Sequence, residues 1–377
     1  MSTPRYPVSP LTIPEDDVQA VVACLDEGWL TMGPRTQALE TALAGELGAA
    51  SVVCVSSGTA ALHLACRAAE LGPGDEVIVP SLAFVAAAAA VRYTGATPVL
   101  CDVATSQSPN LDVAAVEARV TGSTKAVIAV HLCGYPADAA ALRELCDARG
   151  LILIEDAAQA LAATVTPGVA AGTVGHLGCL SFSPDKQLPV GEGGAVITAD
   201  AEMEAKVRSL RSHAMTSVTW DRHRGYAQSY DVVDVGYNFR MDEPRAALGL
   251  ARLPRLRDEI ERRRAVAVGY RERLADVKGI ELMWDDAGVR DGSHAAFPVL
   301  AADRGARDAA RDHLEQAGIQ TTSYPAVHRF ADYRRFAGTG ALPASEEVAD
   351  RHFCLPMSPT LESGDLDAIA EEVAKVG

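Results

Sequence analysis

The chain has 377 residues, 48% of them hydrophobic and 22% charged, which is ordinary for a soluble globular protein. Its length exceeds one average hydrophobic core and predicts two domains, or one large α/β domain with a smaller lobe. The 50 acidic and 34 basic residues give a formal charge of −16, which argues against a nucleic-acid surface or an anionic-membrane surface. Any phosphate must therefore be bound at a local site.

The first residues and the cysteines exclude further classes of protein. Residues 1–17 lack the apolar segment of a signal peptide, and no window reaches the roughly 18 uncharged apolar residues of a spanning helix. We therefore expect a cytoplasmic protein with no membrane partner. The eight cysteines form no C-x-x-C pair, so we expect buried free thiols rather than a metal site or disulfides.

Short β-rich runs alternate with helical stretches between about residues 35 and 200. The runs cover 51–56, 76–80, 97–102, 126–131, 151–156, 178–183 and 195–198. Most are apolar on both faces, which is typical of strands covered by helices on both sides. The pattern predicts an α/β domain with a mostly parallel central sheet flanked by helices.

The pattern changes after about residue 240. A long charged helix is predicted over 243–277, with a bend at Pro254, and a helix follows near 304–317. Further strands are predicted at 279–284, 295–300 and 319–324, and a closing helix from about 364. We therefore predict a large domain over 1–240 and a long linking helix with a small α+β domain over 241–377.

Three stretches at strand ends could hold a ligand, because open α/β sheets bind ligands there. In the first, "VSSGTAALHL" (55–64), a strand is followed by Ser56 to Thr59 and then by a helix. The free N–H groups and positive dipole end of that helix favour an anion. The same residues are equally typical of an ordinary helix cap.

The second stretch, "LILIEDAAQA" (151–160), ends an aliphatic strand in Glu155 and Asp156. A carboxylate at the rim of a sheet needs a cationic or hydrogen-bonding partner, and a protonated ring nitrogen would serve. The alternative is a carboxylate that caps the next helix.

The third stretch, "SFSPDKQLPVGEGG" (181–194), places Lys186 in a tight, glycine-rich turn. A lysine amine that is desolvated or lies near another cation loses its proton readily and can form a Schiff base. The alternative is a solvated loop lysine. Ser181 could reach the same phosphate as the first stretch, because neighbouring strand ends converge. A phosphate cradle, a carboxylate and an amine together complement pyridoxal phosphate.

With these motifs the chain resembles the DegT/DnrJ/StrS family of pyridoxal-phosphate sugar aminotransferases, which have the type I aminotransferase fold. The resemblance runs nearly end to end. It is carried by "DEGWLTMGPRTQALE" (26–40), 55–65, "GPGDEVIVPSLAFVA" (72–86), "VHLCGYPAD" (130–138), 155–160, 181–194, "GYNFRMDEPRAALGL" (236–250) and "CLPMSPTL" (354–361).

The resemblance implies a role for each matching residue. It makes Lys186 the Schiff-base lysine and Asp156 the partner of the pyridine nitrogen. The remaining cofactor contacts are Gln159 near the ring hydroxyl, Phe84 on the ring face, Gly58, Thr59 and Ser181 at the phosphate, and Asn238 at the phosphate of a neighbouring subunit. The substrate contacts are Thr31 and Met32 in the 30–33 turn, Arg240, Tyr324 and His328. An N-terminal arm, residues 1–34, would pack at the active site of a homodimer with shared sites.

The resemblance further implies amino transfer from L-glutamate to a nucleotide-linked keto-deoxysugar, with pyridoxamine phosphate as the intermediate form. The alternative is an aminotransferase acting on a cyclitol or another non-nucleotide ketone. A sugar dehydratase of the superfamily would carry histidine in place of Lys186. A non-catalytic regulator would not need all three stretches intact.

The chain departs from the family in the region before the lysine. Relatives usually have glycine, serine and aspartate at the positions of Ala162, His176 and Cys179, and the 164–175 loop is atypical. None of these changes removes a chemical group named above. They leave the substrate open.

Overall fold

The computed structural model describes residues 4–216, 229–338 and 340–376, so residues 1–3 of the predicted arm lie outside it. Its helices are α1 (Glu15–Asp26), α2 (Pro34–Leu47), α3 (Gly58–Ala68), α4 (Ala86–Tyr93), α5 (Val113–Arg119), α6 (Ala139–Arg149), α7 (Ala201–Leu210), α8 (Glu243–Arg252), α9 (Leu256–Leu274), α10 (Asp286–Asp291), α11 (Arg304–Gln316), α12 (Pro343–Arg351) and α13 (Ser363–Ala374). Its strands are β1 (Ser51–Val55), β2 (Glu76–Pro80), β3 (Thr97–Cys101), β4 (Thr124–Val130), β5 (Ile152–Asp156), β6 (Thr164–Thr166), β7 (Val169–Ala170), β8 (Leu177–Ser181), β9 (Gly194–Thr198), β10 (Ile280–Leu282), β11 (Phe297–Ala301) and β12 (His352–Leu355).

The large domain is built on a seven-stranded sheet with the order β1-β9-β8-β5-β4-β2-β3. β9 is antiparallel to both of its neighbours, and the other pairs are parallel. Both faces are buried, because alternate residues of a strand enter different cores: Val53 and Val55 pack on one side of β1, and Val52 and Cys54 on the other. The predicted mostly parallel sheet between helices is confirmed.

The C-terminal part forms a small α+β lobe on an antiparallel sheet, β10-β11-β12. The helix predicted over 243–277 is interrupted at Pro254: α8 ends at Arg252, one tight turn covers Leu253–Arg255, and α9 follows. A proline lacks the N–H that a continuous helix needs, which explains the bend. The division at residue 240 stays a prediction.

The strand predicted at 319–324 is wrong. Within this segment Ile319 forms one isolated bridge with Tyr6, and Thr322 forms another with Cys354. Its β-branched residues favour extended backbone, but its pairing is divided between two partners instead of extending along one strand. The segment therefore joins the N-terminal arm to β12.

The N-terminal arm packs against the C-terminal part of the chain. Tyr6 donates its N–H to the carbonyl of Gly318 at 3.0 Å, and Met357 donates to the carbonyl of Val8 at 2.9 Å. The helix α1 that follows is anchored by Asp17, which is buried and paired with Arg252 and Arg255.

In the described part of the chain, no helix is both long enough and apolar enough to span a membrane. All eight cysteines are buried free thiols.

Candidate active site

The three stretches meet at one end of the large sheet, where β1, β5 and β8 have their carboxyl ends. This end is called the sheet edge below. β8 lies beside β5, where Asp156 pairs with Cys179, so Ser181 lies two residues beyond that pair. β9 lies between β8 and β1, and its first residue, Gly194, pairs with both Ser181 and Val55. The carboxyl ends of β1, β8 and β5 therefore lie at the same end of the sheet, with the start of β9 between those of β1 and β8.

Two glycines allow the turn after β1 to approach Ser181. A Cβ atom on Gly58 would lie 2.7 Å from the Cβ of Ser181 and 3.1 Å from its Oγ. A Cβ atom on Gly194 would lie 2.7 Å from the carbonyl oxygen of Ser57. Any larger side chain would separate these segments. The structure thus brings together Gly58, its neighbour Thr59 and Ser181, the residues expected to hold phosphate.

The turn after β1 is both a helix cap and a possible anion site. Ser57 caps α3, since its Oγ accepts the N–H of Ala60 at 3.1 Å. The first N–H groups of a helix have no partner within the helix, so Gly58 and Thr59 still offer donors beside Ser181. The two interpretations of this stretch are therefore compatible.

Asp156 does not cap a helix, because the next element is the short strand β6. Its Oδ1 accepts the N–H of Ala158 at 3.1 Å, and the residue is only 7% exposed. Burial raises the pKa of Asp156, while the N–H of Ala158 and the positive charge of Lys186 oppose the rise. A nearby cationic group would therefore stabilise the ionised carboxylate.

Lys186 is not a solvated loop lysine, because its side chain is only 12% exposed. Its Nζ donates to Oδ2 of Asp185 at 2.6 Å, and its backbone N–H donates to the carbonyl of Ser183 at 3.0 Å. The amine is thus held at the edge of the sheet, close enough to Asp156 to affect its pKa. The role of Lys186 as a Schiff-base lysine stays a prediction.

The neighbouring Glu155 has a different role, which the sequence analysis did not identify. Its carboxylate is fully buried and accepts N–H groups from Gly172 at 3.0 Å, Val174 at 2.8 Å and Gly175 at 2.5 Å. Burial alone would raise the pKa of Glu155, but hydrogen bonds from His131 and the backbone lower it overall. Glu155 therefore holds the atypical 164–175 loop against the sheet.

His131 completes this buried network in one tautomer. Its Nδ1 accepts the N–H of Ala137 at 3.0 Å, so Nε2 carries the proton and donates to Glu155 at 2.9 Å. The backbone N–H of His131 also donates to the carbonyl of Asp156 at 3.1 Å. The pair therefore fixes the end of β5, where Asp156 lies. The alternation of faces along a strand was the available signal, since Glu155 and Asp156 must point to opposite sides.

Gln159 and Tyr324 link the expected cofactor and substrate residues. Oε1 of Gln159 accepts the N–H of Cys133 at 2.6 Å, and Nε2 donates to the hydroxyl of Tyr324 at 3.4 Å. The N–H of Tyr324 donates to Nε2 of His352 at 2.8 Å. Burial raises the pKa of the Tyr324 hydroxyl. The small lobe therefore contributes a neutral phenol beside Gln159.

Phe84 and His328 lie on adjoining segments, since Leu82 pairs with Ala326. Phe84 is 61% exposed, which leaves its ring face accessible. His328 is held within the chain: its Nδ1 lies 2.6 Å from Oγ of Ser81, and its Nε2 lies 3.4 Å from Oε1 of Glu346. Burial lowers the pKa of His328. Both ring nitrogens of His328 thus already have a neighbour in the chain, so a substrate contact would have to replace one of these two contacts.

The 30–33 turn is fixed by a carboxylate that the sequence analysis missed. Glu243, at the start of α8, is fully buried and accepts N–H groups from Gly33 at 2.9 Å, Arg35 at 2.8 Å and Thr36 at 2.9 Å. It acts as a cap for α2 from 207 residues away. Thr31 is half-buried and Met32 buried in this turn.

Asn238 is exposed between two aromatic residues that are stacked together. The ring centroids of Tyr237 and Phe239 lie 4.9 Å apart, and both rings pack on His63. Because side chains alternate along an extended segment, the intervening Asn238 faces away from them. The carbonyl of Phe239 accepts the N–H of Ser56 at 2.9 Å. Arg240 follows and is half-buried.

The departures from the family pattern lie in the scaffold. Ala162 adopts the left-handed conformation at φ 62°, where glycine is favoured. His176 precedes β8 at the opposite edge of the sheet, where its Nδ1 accepts the N–H of Leu153 at 3.0 Å. Cys179 is buried beside Asp156, and burial raises the pKa of its thiol.

Within the residues described, no group of three or more His, Cys, Asp or Glu could hold a metal ion.

Comparison with known proteins identifies the chain. The sequence model of the DegT/DnrJ/EryC1/StrS aminotransferase family matches residues 11–374. The chain belongs to this family. It is an aminotransferase with the type I fold of the pyridoxal-phosphate enzymes, and its seven-stranded sheet with one antiparallel strand is the centre of that fold.

Two curated relatives of this aminotransferase act on nucleotide-linked sugars by name. The UDP-N-acetyl-3-dehydro-alpha-D-glucosamine 3-aminotransferase of Acidithiobacillus ferrooxidans is 40% identical over 93% of this chain and 91% of that protein. The dTDP-4-dehydro-2,3,6-trideoxy-D-glucose 4-aminotransferase of Saccharopolyspora spinosa is 35% identical over 96% of this chain and 94% of that protein. The crystal structure of S. venezuelae DesV in complex with a ketimine intermediate is 35% identical, covers 98% of both chains and has a TM-score of 0.87.

The residues at the sheet edge of this aminotransferase fit the cofactor of its family. The close approach of Gly58 to Ser181 forms a small cradle that a Cβ atom would fill. Asp156 is a buried carboxylate whose ionised form would gain from a protonated ring nitrogen. Lys186 is held nearby at the same edge.

Proposed function

We propose that the chain transfers an amino group from L-glutamate to the keto group of a nucleotide-linked keto-deoxysugar, with pyridoxal 5′-phosphate as its cofactor and the pyridoxamine form between the two half-reactions. The proposal rests chiefly on one observation. Lys186, Asp156 and the Gly58–Ser181 cradle lie together at the carboxyl end of the sheet. The names of the two curated relatives support a nucleotide-linked sugar as the acceptor.

When bound, the cofactor supplies an electron sink that makes the proton on the amino-bearing carbon removable. In the proposed site, Gly58, Thr59 and Ser181 bind the phosphate, and Asp156 keeps the ring nitrogen protonated. Phe84 covers one face of the ring, and Gln159 approaches the ring hydroxyl. These contacts fix the ring relative to Lys186.

Lys186 has two tasks in this proposal. Its amine would bind the cofactor in the resting enzyme. Once released, the same amine would carry the proton that is removed from the amino-bearing carbon. Asp185 accepts a hydrogen bond from Nζ at 2.6 Å and so holds the amine near the sheet edge. The presence of lysine at position 186, where dehydratases carry histidine, favours transamination.

The acceptor would be bound where Thr31, Met32, Arg240, Tyr324 and His328 surround the sheet edge. We propose that the active unit is a homodimer in which Asn238 of one subunit reaches the phosphate in the other. The exposure of Asn238 on this chain supports that assignment. The Glu243 carboxylate, by fixing the 30–36 segment, would keep Thr31 and Met32 in place.

The test uses the pyridoxamine form of the purified enzyme and a panel of ketones. The panel contains UDP- and dTDP-linked 3-keto and 4-keto sugars together with a cyclitol ketone. We expect at least one nucleotide-linked sugar to restore the pyridoxal spectrum and to yield an amino sugar by mass spectrometry. Reaction with the cyclitol ketone alone would support the alternative acceptor and contradict the nucleotide-sugar assignment.

A further inference from the structure

A cavity of about 220 Å³ lies beside Lys186, on the side of the N-terminal arm. Four segments enclose it: the arm, the lysine turn, the start of α9 with the end of α8, and the loop that follows β12. Its walls include Leu11, Thr12, Pro184, Lys186, Arg263 and Thr360. Lys186, the residue that the proposed chemistry requires, is therefore part of the cavity wall.

Arg263 is the unusual residue in this wall, because its guanidinium is buried without a carboxylate partner. The residue is 5% exposed. Its Nη1 donates to the carbonyl of His294 at 3.1 Å and to that of Met357 at 3.5 Å, whereas its Nε has no hydrogen-bond partner among the described residues. Burial lowers the pKa of Arg263 to about 10, so the side chain stays charged at neutral pH. A buried, unpaired charge is costly unless a partner binds it.

The other charges of the cavity do not neutralise Arg263. Arg252 and Arg255 also line it, but both are paired with Asp17, at 2.8 and 2.6 Å. Arg262 lines the cavity without an ion pair to any residue in the described ranges. Glu259 is the acidic residue of the wall, and with Asp185 it acts on Arg263 only through its charge. The cavity thus keeps a positive excess next to Lys186.

We propose that this cavity binds a carboxylate of the amino donor and that Arg263 is the side chain that recognises it. The inference rests on the proposed function, because it needs a donor whose nitrogen would displace the Lys186 amine from the cofactor. The volume is below the roughly 300–1,000 Å³ of pockets for drug-sized ligands, so it suits a small dicarboxylic amino acid and not a nucleotide-linked sugar. The guanidinium supplies the planar donors that match a carboxylate.

The experiment measures both half-reactions of the cofactor-loaded enzyme by stopped-flow absorbance, and the binding of glutarate by calorimetry. The first variant, Arg263→Gln, removes the charge. The second, Thr360→Glu, places a carboxylate at the exposed wall of the cavity and leaves the hydrogen bonds of Arg263 intact. Arg264→Gln is the matched control, since the side chain of Arg264 donates to the carbonyl of Gly292 and is not part of the cavity wall.

We expect both cavity variants to weaken glutarate binding by about tenfold or more, which is the usual contribution of a charge-assisted hydrogen bond. The ratio of rate constant to KM for the half-reaction with L-glutamate should fall by a similar factor, about tenfold or more. The acceptor half-reaction should stay within about twofold of the wild-type rate, and the control should match wild type in every measurement. Should Arg263→Gln fail to fold, Thr360→Glu decides the question.

Unchanged glutarate affinity in the cavity variants would overturn the inference and leave Arg263 a structural clamp on His294 and Met357. Competition between glutarate and UDP, with an equal loss in both half-reactions, would also overturn it and assign the cavity to the phosphates of the acceptor. Failure of the proposed function would look different: the wild-type enzyme would react with glutamate but with no nucleotide-linked ketone.

Discussion

Gly58 and Ser181 are separated in sequence by most of the large domain, yet a Cβ atom on Gly58 would lie 2.7 Å from the Cβ of Ser181. This contact joins the first turn of α3 to the end of β8. It is possible because Gly194 lets the turn after β1 pass close to β9. The shape of the proposed phosphate cradle therefore depends on the absence of two side chains.

Gly58→Ala should weaken cofactor binding, because the new methyl group must displace Ser181 or move α3 away. We expect the dissociation constant for pyridoxal phosphate to rise by about tenfold or more, measured by fluorescence titration. Gly45→Ala is the control, since Gly45 has no atom within 4 Å of an added Cβ. A cofactor affinity like that of wild type in Gly58→Ala would contradict the proposed cradle.

Asp156→Asn should stabilise the cofactor-free protein at neutral pH. The folded pKa of Asp156 is raised above its ordinary 3.8, so the folded state binds more protons than the unfolded state between the two values. The contribution of Asp156 to stability is thus fully present below 3.8 and is lost as the pH rises through the folded pKa. Urea unfolding should show a higher free energy of unfolding in the variant, and this gain should shrink as the pH is lowered. The kcat of the cofactor-loaded variant should fall by about 10²–10³-fold.

Glu155→Gln should have the opposite effect on stability. Its folded pKa is lowered, so its contribution is present above the ordinary 4.5 and is lost as the pH falls through the folded pKa. Removing the charge from this buried network should cost about 3–5 kcal/mol of the free energy of unfolding. A result in which both variants shift stability in the same direction would refute the assigned difference between the two carboxylates.

Ala162→Gly should stabilise the fold, because Ala162 has a left-handed backbone conformation at φ 62°. That conformation costs a residue with a Cβ atom about 1–2 kcal/mol, and glycine avoids the cost. Part of the gain is offset by the greater freedom of glycine in the unfolded chain, so we expect a net gain of about 0.5–1 kcal/mol by urea unfolding. Ala163→Gly, at a position without positive φ, should destabilise instead.

The central sheet and the strand ends that carry the candidate residues could be predicted from the sequence because their signals are local. Apolar runs of strand length, glycines and polar residues at strand ends mark the sheet edge and lead to Asp156, Ser181 and Lys186. The 319–324 segment shows the limit of this approach. Its residues favour extended backbone, but their pairing depends on Tyr6 and Cys354, which are distant in sequence.

Several supporting residues could not be predicted because their partners are distant or are backbone groups. Glu243 caps a helix that begins more than 200 residues earlier, and its sequence context looks like an ordinary helix start. Arg263 lies in a run of arginines on a charged helix, where solvation is the simplest expectation. Only packing distinguishes it from its exposed neighbour Arg262.

The shared active site can be tested by mixing two inactive variants, Lys186→Ala and Asn238→Ala. If each site needs Lys186 from one subunit and Asn238 from the other, a hybrid dimer has one site with both defects and one with neither. Subunit exchange should then restore activity toward half of that of wild type per dimer. An active monomer by light scattering, or exchange that restores nothing, would disprove the sharing.

The most direct measurement of the central claim is to find which lysine binds the cofactor. The loaded enzyme is reduced with borohydride, digested and mapped by mass spectrometry. We predict a pyridoxyl group on Lys186 and on no other lysine, with multiple turnover lost in Lys186→Ala. A reduced adduct on another lysine, such as Lys206, which pairs with Glu70 at the surface, or continued turnover in Lys186→Ala, would contradict the account.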